Sequence, residues 1–439
     1  MESRNRMFLG AFLLALTAMA LAPLLAAHAA PQSLEPLPDT SGEFQTLSTQ
    51  GRIDHQNPFF LAEGSNGRTC ASCHSPRTGW SLSPWEVQER FLRSQGLDPL
   101  FRPVDGSTCP SDDVSSLWAR LRSYRLLLSK GLIRISMPVP ADADFEITGV
   151  ATPYACTDTG NPSFYRRPLP ATNLRFVPAI MWDGREPTLS SQALDAILGH
   201  AQGVTPPSAA VLDQIVAFES SLASAQLVDR GAGALTEGGA QGGPLAVLQQ
   251  PFTVGENAIA ADGEVPNPDV MDLYTAWTHS RVPQRNAIAR GEAIFNRRPI
   301  LITGVAGLND ALGLPVITGT CSTCHNAANV GDHSSVGFLN IGTADAAQRT
   351  PDLPLYSVAC ADGTQVQASD LGRAMISGRC ADIGKFKGPV LRALAARAPY
   401  FHNGMAATLL EVVNFYNDRF HLGLSAQEKS DLAAFLASL

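Results

Sequence analysis

The chain has 439 residues, of which 45% are hydrophobic and 16% are charged, so its composition is that of a globular protein with room for two or three domains. Its 32 Lys and Arg residues against 40 Asp and Glu residues give a formal charge of -8, with no basic block along the chain. This balance argues against nucleic acid or an anionic membrane surface as the partner.

The first 29 residues have the pattern of a secretory signal peptide. Two arginines precede the apolar run 7–22, and a small-x-small cleavage motif ends at Ala29. A retained membrane anchor is the alternative, because the run approaches spanning length, but Pro23 and the alanine-rich end of the run favour cleavage. We expect a periplasmic protein with no stable membrane span after cleavage.

Two C-x-x-C-H motifs carry the strongest chemical signal in the sequence. This is the attachment signature of c-type haem, in which two thiols add to the porphyrin vinyl groups and the histidine becomes the proximal iron ligand. A zinc site or a redox dithiol is the competing interpretation, but each cluster supplies three ligands where zinc needs four. The sequence predicts two covalently bound haems, one on Cys70, Cys73 and His74 and one on Cys321, Cys324 and His325.

The other four cysteines are an even number in a chain expected to reach an oxidising compartment. Pairing by neighbourhood joins Cys109 to Cys156 and Cys360 to Cys380, which closes one loop in each half of the chain. Four cysteines allow three connectivities, and the other two stay open at this point.

The pattern around the haem motifs predicts a mainly α fold with one haem domain in each half of the chain. A helix begins at the Ser83 capping box and ends near Phe91. Further helices are predicted by apolar residues at helical spacing and by capping residues, over residues 112–128, 188–198, 208–225, 285–295, 408–415 and 425–436.

Two short alternating stretches, 133–137 and 145–150, predict a β-hairpin inside the loop that the first disulfide would close. We therefore divide the chain into an N-terminal domain, 30–250, with an insertion at about 82–165, and a C-terminal domain, 251–439. No tandem repeat is visible in the sequence beyond the two haem motifs.

Three longer stretches complete the pattern: Met181-Trp182-Asp183-Gly184-Arg185 with Gln192, Asp370-Leu371-Gly372-Arg373, and 386–392 running into 398–404. With the haem motifs, they make the chain resemble the bacterial di-haem cytochrome c peroxidase and MauG family. The resemblance implies two cytochrome c-like domains. It also implies a peroxide-reactive N-terminal haem, a six-coordinate C-terminal haem, and Trp182 as the electron relay between them.

The family's peroxidases place a glutamate ten residues after the glutamine that matches Gln192, and this glutamate moves a proton during O–O cleavage. Here that position is Gln202, whose amide can hold peroxide but cannot act as an acid or base. His200 could replace the glutamate, could coordinate the first iron, or could simply stabilise a helix end. Because no histidine lies between His74 and His200, the loop histidine that closes the first haem in peroxidases is missing, as in MauG-type members.

The resemblance also assigns residues around the second haem. His402, in the P-Y-F-H-N-G motif, is expected in the second haem pocket. Tyr416 stands where peroxidases carry the methionine ligand and MauG-type enzymes carry tyrosine, so we expect it to be the sixth ligand of the second iron. The family's calcium ligands fall on Arg167 and Arg397, so calcium binding is not expected.

Four further histidines match nothing in the family pattern and are expected at the surface. They are His55, His279, His333 and His421.

We therefore predict a periplasmic di-haem oxidoreductase that reacts with hydrogen peroxide and oxidises an electron donor or protein substrate through Trp182 and the second haem. Two alternatives stay open. One is a di-haem electron-transfer cytochrome without turnover chemistry, and the other is an oxygen-activating di-haem dioxygenase like the rubber-cleaving enzymes.

Overall fold

Capping residues determine where four of the predicted helices begin. Thr188, Ser208, Thr408 and Ser425 each accept a hydrogen bond from the backbone N–H three residues further on, which satisfies a donor that the first helical turn leaves free. The structure, a computed structural model, describes residues 32–33 and 35–439. The predicted signal peptide lies outside the described residues.

The α-helices of this described part are α1 (Pro84–Ser94), α2 (Leu117–Ser123), α3 (Arg125–Lys130), α4 (Leu189–Leu198), α5 (Ala209–Ser220), α6 (Gly243–Gln249), α7 (Pro283–Arg297), α8 (Asn309–Leu312), α9 (Cys321–Cys324), α10 (Ala374–Ser377), α11 (Leu409–Arg419) and α12 (Ala426–Ala437). Within residues 35–439, none of them is long and apolar enough to cross a bilayer.

The strands are β1 (Gln32–Ser33), β2 (Leu37–Pro38), β3 (Gly42–Ser48), β4 (Ile133–Ser136), β5 (Phe145–Ala151), β6 (Ser163–Arg166), β7 (Leu222–Asp229), β8 (Gly233–Ala234), β9 (Ile300–Ile302), β10 (Ile317–Gly319), β11 (Leu355–Cys360) and β12 (Gln365–Ala368). The predicted predominance of helix is therefore not confirmed. Two predicted helices also ran too long: 112–128 divides at Tyr124, and 208–225 ends at Ser220, where the chain enters β7.

The predicted hairpin of 133–137 with 145–150 is wrong. Both segments are strands, but β4 pairs with β6, and β5 pairs with β11 of the second half of the chain. Alternation marks a strand but does not name its partner. On β11, β5 buries Phe145 and Ile147 in a cluster with Val358 and Leu371, whereas every residue of β4 is only half-buried.

The predicted disulfide pairing is confirmed. Cys109 bonds to Cys156 with a Cα–Cα distance of 5.7 Å, and Cys360 bonds to Cys380 with a Cα–Cα distance of 5.9 Å. The four C-x-x-C-H cysteines are free of disulfides. The first bridge ties the insertion to itself, and β5 ties the insertion to the second half of the chain.

Each C-x-x-C-H motif packs against its own hydrophobic cluster. Cys70 lies against a cluster drawn from residues 59–222, and Cys321 lies against one drawn from residues 232–439. In the second cluster α7 and α12 approach so closely that a Cβ on Gly291 would lie 2.1 Å from the Asp431 carbonyl oxygen, which requires glycine there. Because the described residues form one compact unit, the domain boundary near residue 250 stays a prediction.

The structure contains an internal repeat that the sequence analysis missed. A 3-10 turn, a left-handed residue, a one-residue bridge and a Thr-capped helix occur twice, 220 residues apart. Met181 and Phe401 both have φ of 67°, and the bridges join Ile180 to Glu186 and Tyr400 to Ala406. Helix α11 is therefore the counterpart of α4, and residue i of α4 corresponds to residue i + 220 of α11.

Removing the first disulfide should destabilise the chain more than removing the second. The Cys109–Cys156 bridge spans 47 residues and the Cys360–Cys380 bridge spans 20. The longer loop has more closure entropy in the unfolded state, so the double variant C109A/C156A should lose ~2–4 kcal/mol, and ~0.8 kcal/mol more than C360A/C380A. Denaturant unfolding of both variants under oxidising conditions measures this, and a larger loss in C360A/C380A would contradict it.

Candidate cofactor-binding site

The first C-x-x-C-H motif lines a large cavity in the first half of the chain. Cys70, Cys73 and His74 lie together on its wall. The His74 Nδ1 atom lies 3.2 Å from the Trp80 carbonyl oxygen, a contact that directs Nε2 away from that carbonyl. Burial lowers the pKa of His74 to about 4, so the ring is neutral and able to ligate a metal.

The second motif lines a cavity of the same kind. Cys321, Cys324 and His325 lie on its wall, and the His325 Nδ1 atom lies 2.7 Å from the Gly331 carbonyl oxygen. Burial lowers the pKa of His325, so this ring is also neutral. A carbonyl at Nδ1 of a metal-binding histidine fixes the tautomer that leaves Nε2 free.

The two cavities share a wall. Trp182, Arg167 and Lys387 line both of them. The Trp182 Nε1–H donates to the Arg167 carbonyl oxygen at 2.8 Å, and the Lys387 N–H donates to the Trp182 carbonyl oxygen at 2.9 Å. An oxidisable indole with a fixed position thus lines both cavities, and its role as an electron relay stays a prediction.

The repeated helix allows the two cavities to be compared position by position. Helix α4 lines the first cavity and α11 lines the second, both starting from the same turn. The paired lining residues are Leu189 and Leu409, Gln192 and Val412, Ala193 and Val413, Ala196 and Tyr416, and His200 and Phe420. The first cavity therefore has polar groups and a small alanine where the second has apolar side chains and a tyrosine.

His200 is held by a carboxylate that sequence analysis did not identify. Its Nδ1 atom lies 2.5 Å from Asp105 Oδ2, and Asp105 also binds Arg68. Burial alone would raise the pKa of Asp105, but Arg68 and His200 lower it below its ordinary value. An ionised carboxylate on one ring nitrogen orients the histidine and supports proton transfer at the other, as in hydrolase triads.

The two glutamines lie in different places. Gln192 lines the first cavity, as predicted. Gln202 is exposed and does not line that cavity; its Oε1 atom accepts a hydrogen bond from Asn66 at 3.2 Å. The structure therefore brings His200 and Gln192 together but leaves Gln202 outside.

His402 and Tyr416 both line the second cavity. The His402 ring stacks on Phe386 at 4.0 Å, and its buried Nε2 atom has no hydrogen-bond partner among the described residues. The Tyr416 hydroxyl donates to no described residue, whereas the hydroxyl of Tyr400 in the same cavity donates to the Leu394 carbonyl at 3.1 Å. Burial raises the pKa of Tyr416, so the phenol is neutral unless a cation lies against its oxygen.

A buried network of ion pairs lies next to the shared wall. Arg166 donates to Asp183 at 2.5 Å and to Asp370 at 2.6 Å, and all three side chains are almost fully buried. Burial alone would lower the pKa of Arg166, but Asp370 and Asp183 raise it above its ordinary value. Because Asp183 follows Trp182 directly, the network fixes the turn that carries the indole.

Two more residues in the cavities were missed or misplaced by sequence analysis. Glu219 lines the first cavity, and its buried Oε1 atom has no hydrogen-bond partner among the described residues. Burial raises the pKa of Glu219 to about 8. The prediction that His333 is a surface residue is wrong, since it lines the second cavity 6.4 Å from the His325 ring. His55, His279 and His421 are exposed, as predicted.

The donor set fits haem in both cavities. Each cavity offers two free thiols, a neutral histidine fixed at Nδ1, and a lining in which apolar side chains predominate. The buried His402 Nε2 atom makes no hydrogen bond to the described residues, and the nearest carboxylate, that of Asp370, lies 3.9 Å away. At the positions where the family binds calcium, the buried cations Arg167 and Arg397 instead direct their N–H groups at backbone carbonyls.

Part of the sequence is similar to curated cytochrome-c peroxidases. Cytochrome-c peroxidase IdrP2 of Denitromonas iodatirespirans is 36% identical over 141 residues, which is 29% of this chain and 38% of the relative. Cytochrome-c peroxidase IdrP1 of Pseudomonas sp. (strain SCT) is 27% identical over 244 residues, which is 45% of this chain and 63% of the relative. The chain thus spans less than two thirds of the length of either relative.

No protein-family model matches the chain. One solved structure, described as a MauG-like protein associated with microbial copper homeostasis, matches with a TM-score of 0.36 at 19% identity, over 66% of this chain and 76% of that one.

Replacing Arg166 should be among the most damaging single changes at the shared wall. R166M leaves Asp370 buried without its arginine and leaves Asp183 with only the partly exposed Arg185, and breaking a buried ion pair typically costs ~3–5 kcal/mol. R185M is the matched control, because Arg185 also binds Asp183, at 3.1 Å, but is partly exposed. Denaturant unfolding of the haem-loaded variants measures both, and equal losses would show that the buried network is not the stabilising element.

Proposed function

We propose that this chain is a periplasmic member of the di-haem cytochrome c peroxidase and MauG family. It reduces hydrogen peroxide in the first cavity and draws the electrons from a donor or protein substrate through the second haem and Trp182. The observation that carries the proposal is the contrast between α4 and α11. The same turn and helix, with the residues that directly follow the helix, present Gln192, Ala196 and His200 in one cavity and Val412, Tyr416 and Phe420 in the other.

The first cavity suits a small polar substrate. Ala196 leaves space where the second cavity holds a tyrosine, and Gln192 offers an amide that can donate and accept hydrogen bonds. His200, oriented by Asp105, supplies a proton to the leaving oxygen. Reduction of one peroxide takes two electrons and two protons and yields two waters, and haem iron, when bound, supplies the electron-transfer chemistry.

The second cavity suits storage of oxidising equivalents. Val412 and Phe420 keep its wall apolar, and Tyr416 places an unengaged hydroxyl inside it. We propose that His325 and Tyr416 would both hold the iron of a haem bound in this cavity. A tyrosinate is a harder and more negative ligand than a thioether, so it favours the ferric and higher oxidation states.

Trp182 lies between these two sites. Its ring packs edge-to-face with His402 at a centroid distance of 6.2 Å, and its position is fixed by Arg167 and Lys387. The proposed path of the electrons therefore runs from the second cavity to the first through this indole. The relatives' name, cytochrome-c peroxidase, supports the peroxide chemistry.

Removing the proton donor should slow the first step. H200A should reduce the rate of reaction with stoichiometric hydrogen peroxide by about 10² to 10⁴, the range for loss of a general acid or base. D105N should give a smaller loss, because the imidazole remains but loses its orienting charge. H279A, which removes an exposed histidine, is the control. Stopped-flow absorption measures all three, and wild-type rates in H200A would leave His200 without the proposed role.

Removing the hydroxyl oxygen of Tyr416 should change the spin state of the iron in the C-terminal haem. Y416F deletes only the oxygen that we propose would bind the iron, so the low-spin signal of the C-terminal haem should be lost or replaced. Y400F is the matched control, since the Tyr400 hydroxyl is already bonded to a carbonyl in the same cavity. Electron paramagnetic resonance of the ferric proteins distinguishes them, and an unaltered low-spin signal in Y416F would disprove the assignment.

A further inference from the structure

Two buried arginines at the shared wall carry charge that no carboxylate of the described chain neutralises. Arg167 lines both cavities and Arg397 lines the second. Both residues are buried, with 5% of the surface of Arg167 and 7% of that of Arg397 exposed. Burial lowers the pKa of Arg167 to about 9 and that of Arg397 to about 10, so both are cationic at neutral pH.

Backbone carbonyls position these guanidinium groups without cancelling their charge. Arg167 donates to the carbonyls of Lys130 and Leu82, each at 2.7 Å, and to that of Arg397 at 3.0 Å. Arg397 donates to the Ala393 carbonyl at 3.1 Å and to the Val390 carbonyl at 2.9 Å. The Nε atom of Arg167 and the Nη1 atom of Arg397 donate to none of the described residues.

Three other cations near this wall have carboxylate partners. Lys387, which also lines both cavities, lies 3.8 Å from the buried Asp332. Deeper in the protein, Arg166 and Arg185 face Asp183 and Asp370. Of the three cations that line the second cavity, Lys387 thus has a carboxylate partner among the described residues, and Arg167 and Arg397 have none. An unpaired buried charge costs several kcal/mol, so these two need anions that the polypeptide does not provide.

We propose that Arg167 and Arg397 bind the two carboxylate side chains of the haem in the second cavity. Because Arg167 also lines the first cavity, we further propose that it brings the carboxylate edge of the first haem to the same wall. This inference rests on the proposed function, since it requires a haem in each cavity. A guanidinium group carries a permanent charge and N–H donors that bind carboxylate oxygens, and the Arg167 Nε and Arg397 Nη1 atoms are the donors available for this.

A free anion such as phosphate could satisfy the same two cations. Such an anion would exchange with solvent, whereas haem carboxylates are tethered by the thioether bonds of the cofactor. The two sources therefore differ in whether added phosphate changes the properties of the wild-type protein.

The test compares the reduction potentials of R397Q, R167Q and R397K, with each haem followed by its own absorption and resonance signals. R397Q should shift the ferrous-to-ferric ratio of the second haem at a fixed potential at least tenfold toward ferric, which is about 59 mV for one electron. R167Q should shift both haems in the same direction. R397K keeps the charge, so its shift should be less than threefold.

The outcomes separate the two proposals. Unchanged potentials in R397Q and R167Q, with only lower unfolding temperatures, would show that the arginines are structural donors and overturn this inference. A phosphate-dependent potential in the wild type that disappears in R397Q would assign the cations to a free anion and overturn it as well. Fewer than two haems per wild-type chain by pyridine haemochrome assay would instead overturn the proposed function.

A measurement on the wild-type chain covers the case in which the glutamine variants do not fold. Haem labelled with ¹³C at its carboxyl carbons identifies its own bands in the infrared difference spectrum between ferric and ferrous protein. At pH 6 the proposal expects only the bands of ionised carboxylate, held so by the guanidinium groups. A labelled carboxylic acid band at that pH would overturn it.

Discussion

The relative position of the two cavities depends on the ion pairs of one buried guanidinium group, that of Arg166. It joins Asp183, next to the indole of Trp182, to Asp370, which lies 3.9 Å from His402 in the wall of the second cavity. A buried pair of carboxylates around one arginine tolerates little displacement, because each broken contact leaves a charge in a medium of low polarity. The network therefore fixes the position of Trp182 relative to His402.

The internal repeat explains how one chain can build two cavities that differ in chemistry. The backbone frame is shared, as the left-handed residues Met181 and Phe401 show, and so is the threonine cap of the helix that follows. Of the ten paired positions of the two helices only the first, Leu189 and Leu409, is identical, so the side chains that line the two cavities differ. Under the proposed function, the pair Ala196 and Tyr416 decides which cavity has space beside its histidine and which one places an oxygen donor there.

Features with local signals could be predicted from the sequence. The C-x-x-C-H motifs and the capped helices depend on residues close together in the chain, and each disulfide joins a cysteine to the next one available along the chain. The structure places Trp182, Gln192, His200, His402 and Tyr416 on cavity walls, although their roles stay predictions. The features that the sequence analysis missed or predicted wrongly depend on contacts between segments that are distant in the chain. The pairing of β5 with β11 and the contact of Asp105 with His200 join distant segments, and alternation or residue type cannot name such a partner.

The repeat itself had a sequence signal that was overlooked. Gly184 and Gly404 each precede a Thr-Leu pair by the same spacing, at Thr188 and Thr408. Aligning the two segments on that spacing would have paired His200 with Phe420. His333 and Glu219 carried no such signal, because a lone polar residue has no period and its burial depends on the whole fold.

The central claim is that the two cavities hold irons of different kinds, one open and one closed. The ferric electron paramagnetic resonance spectrum of the haem-loaded wild-type protein tests this most directly, with each signal integrated against the total haem. The account predicts one high-spin iron and one low-spin iron per chain, in equal amounts. Two low-spin irons would contradict it, since both sites would then be saturated and the first cavity would have no place for peroxide.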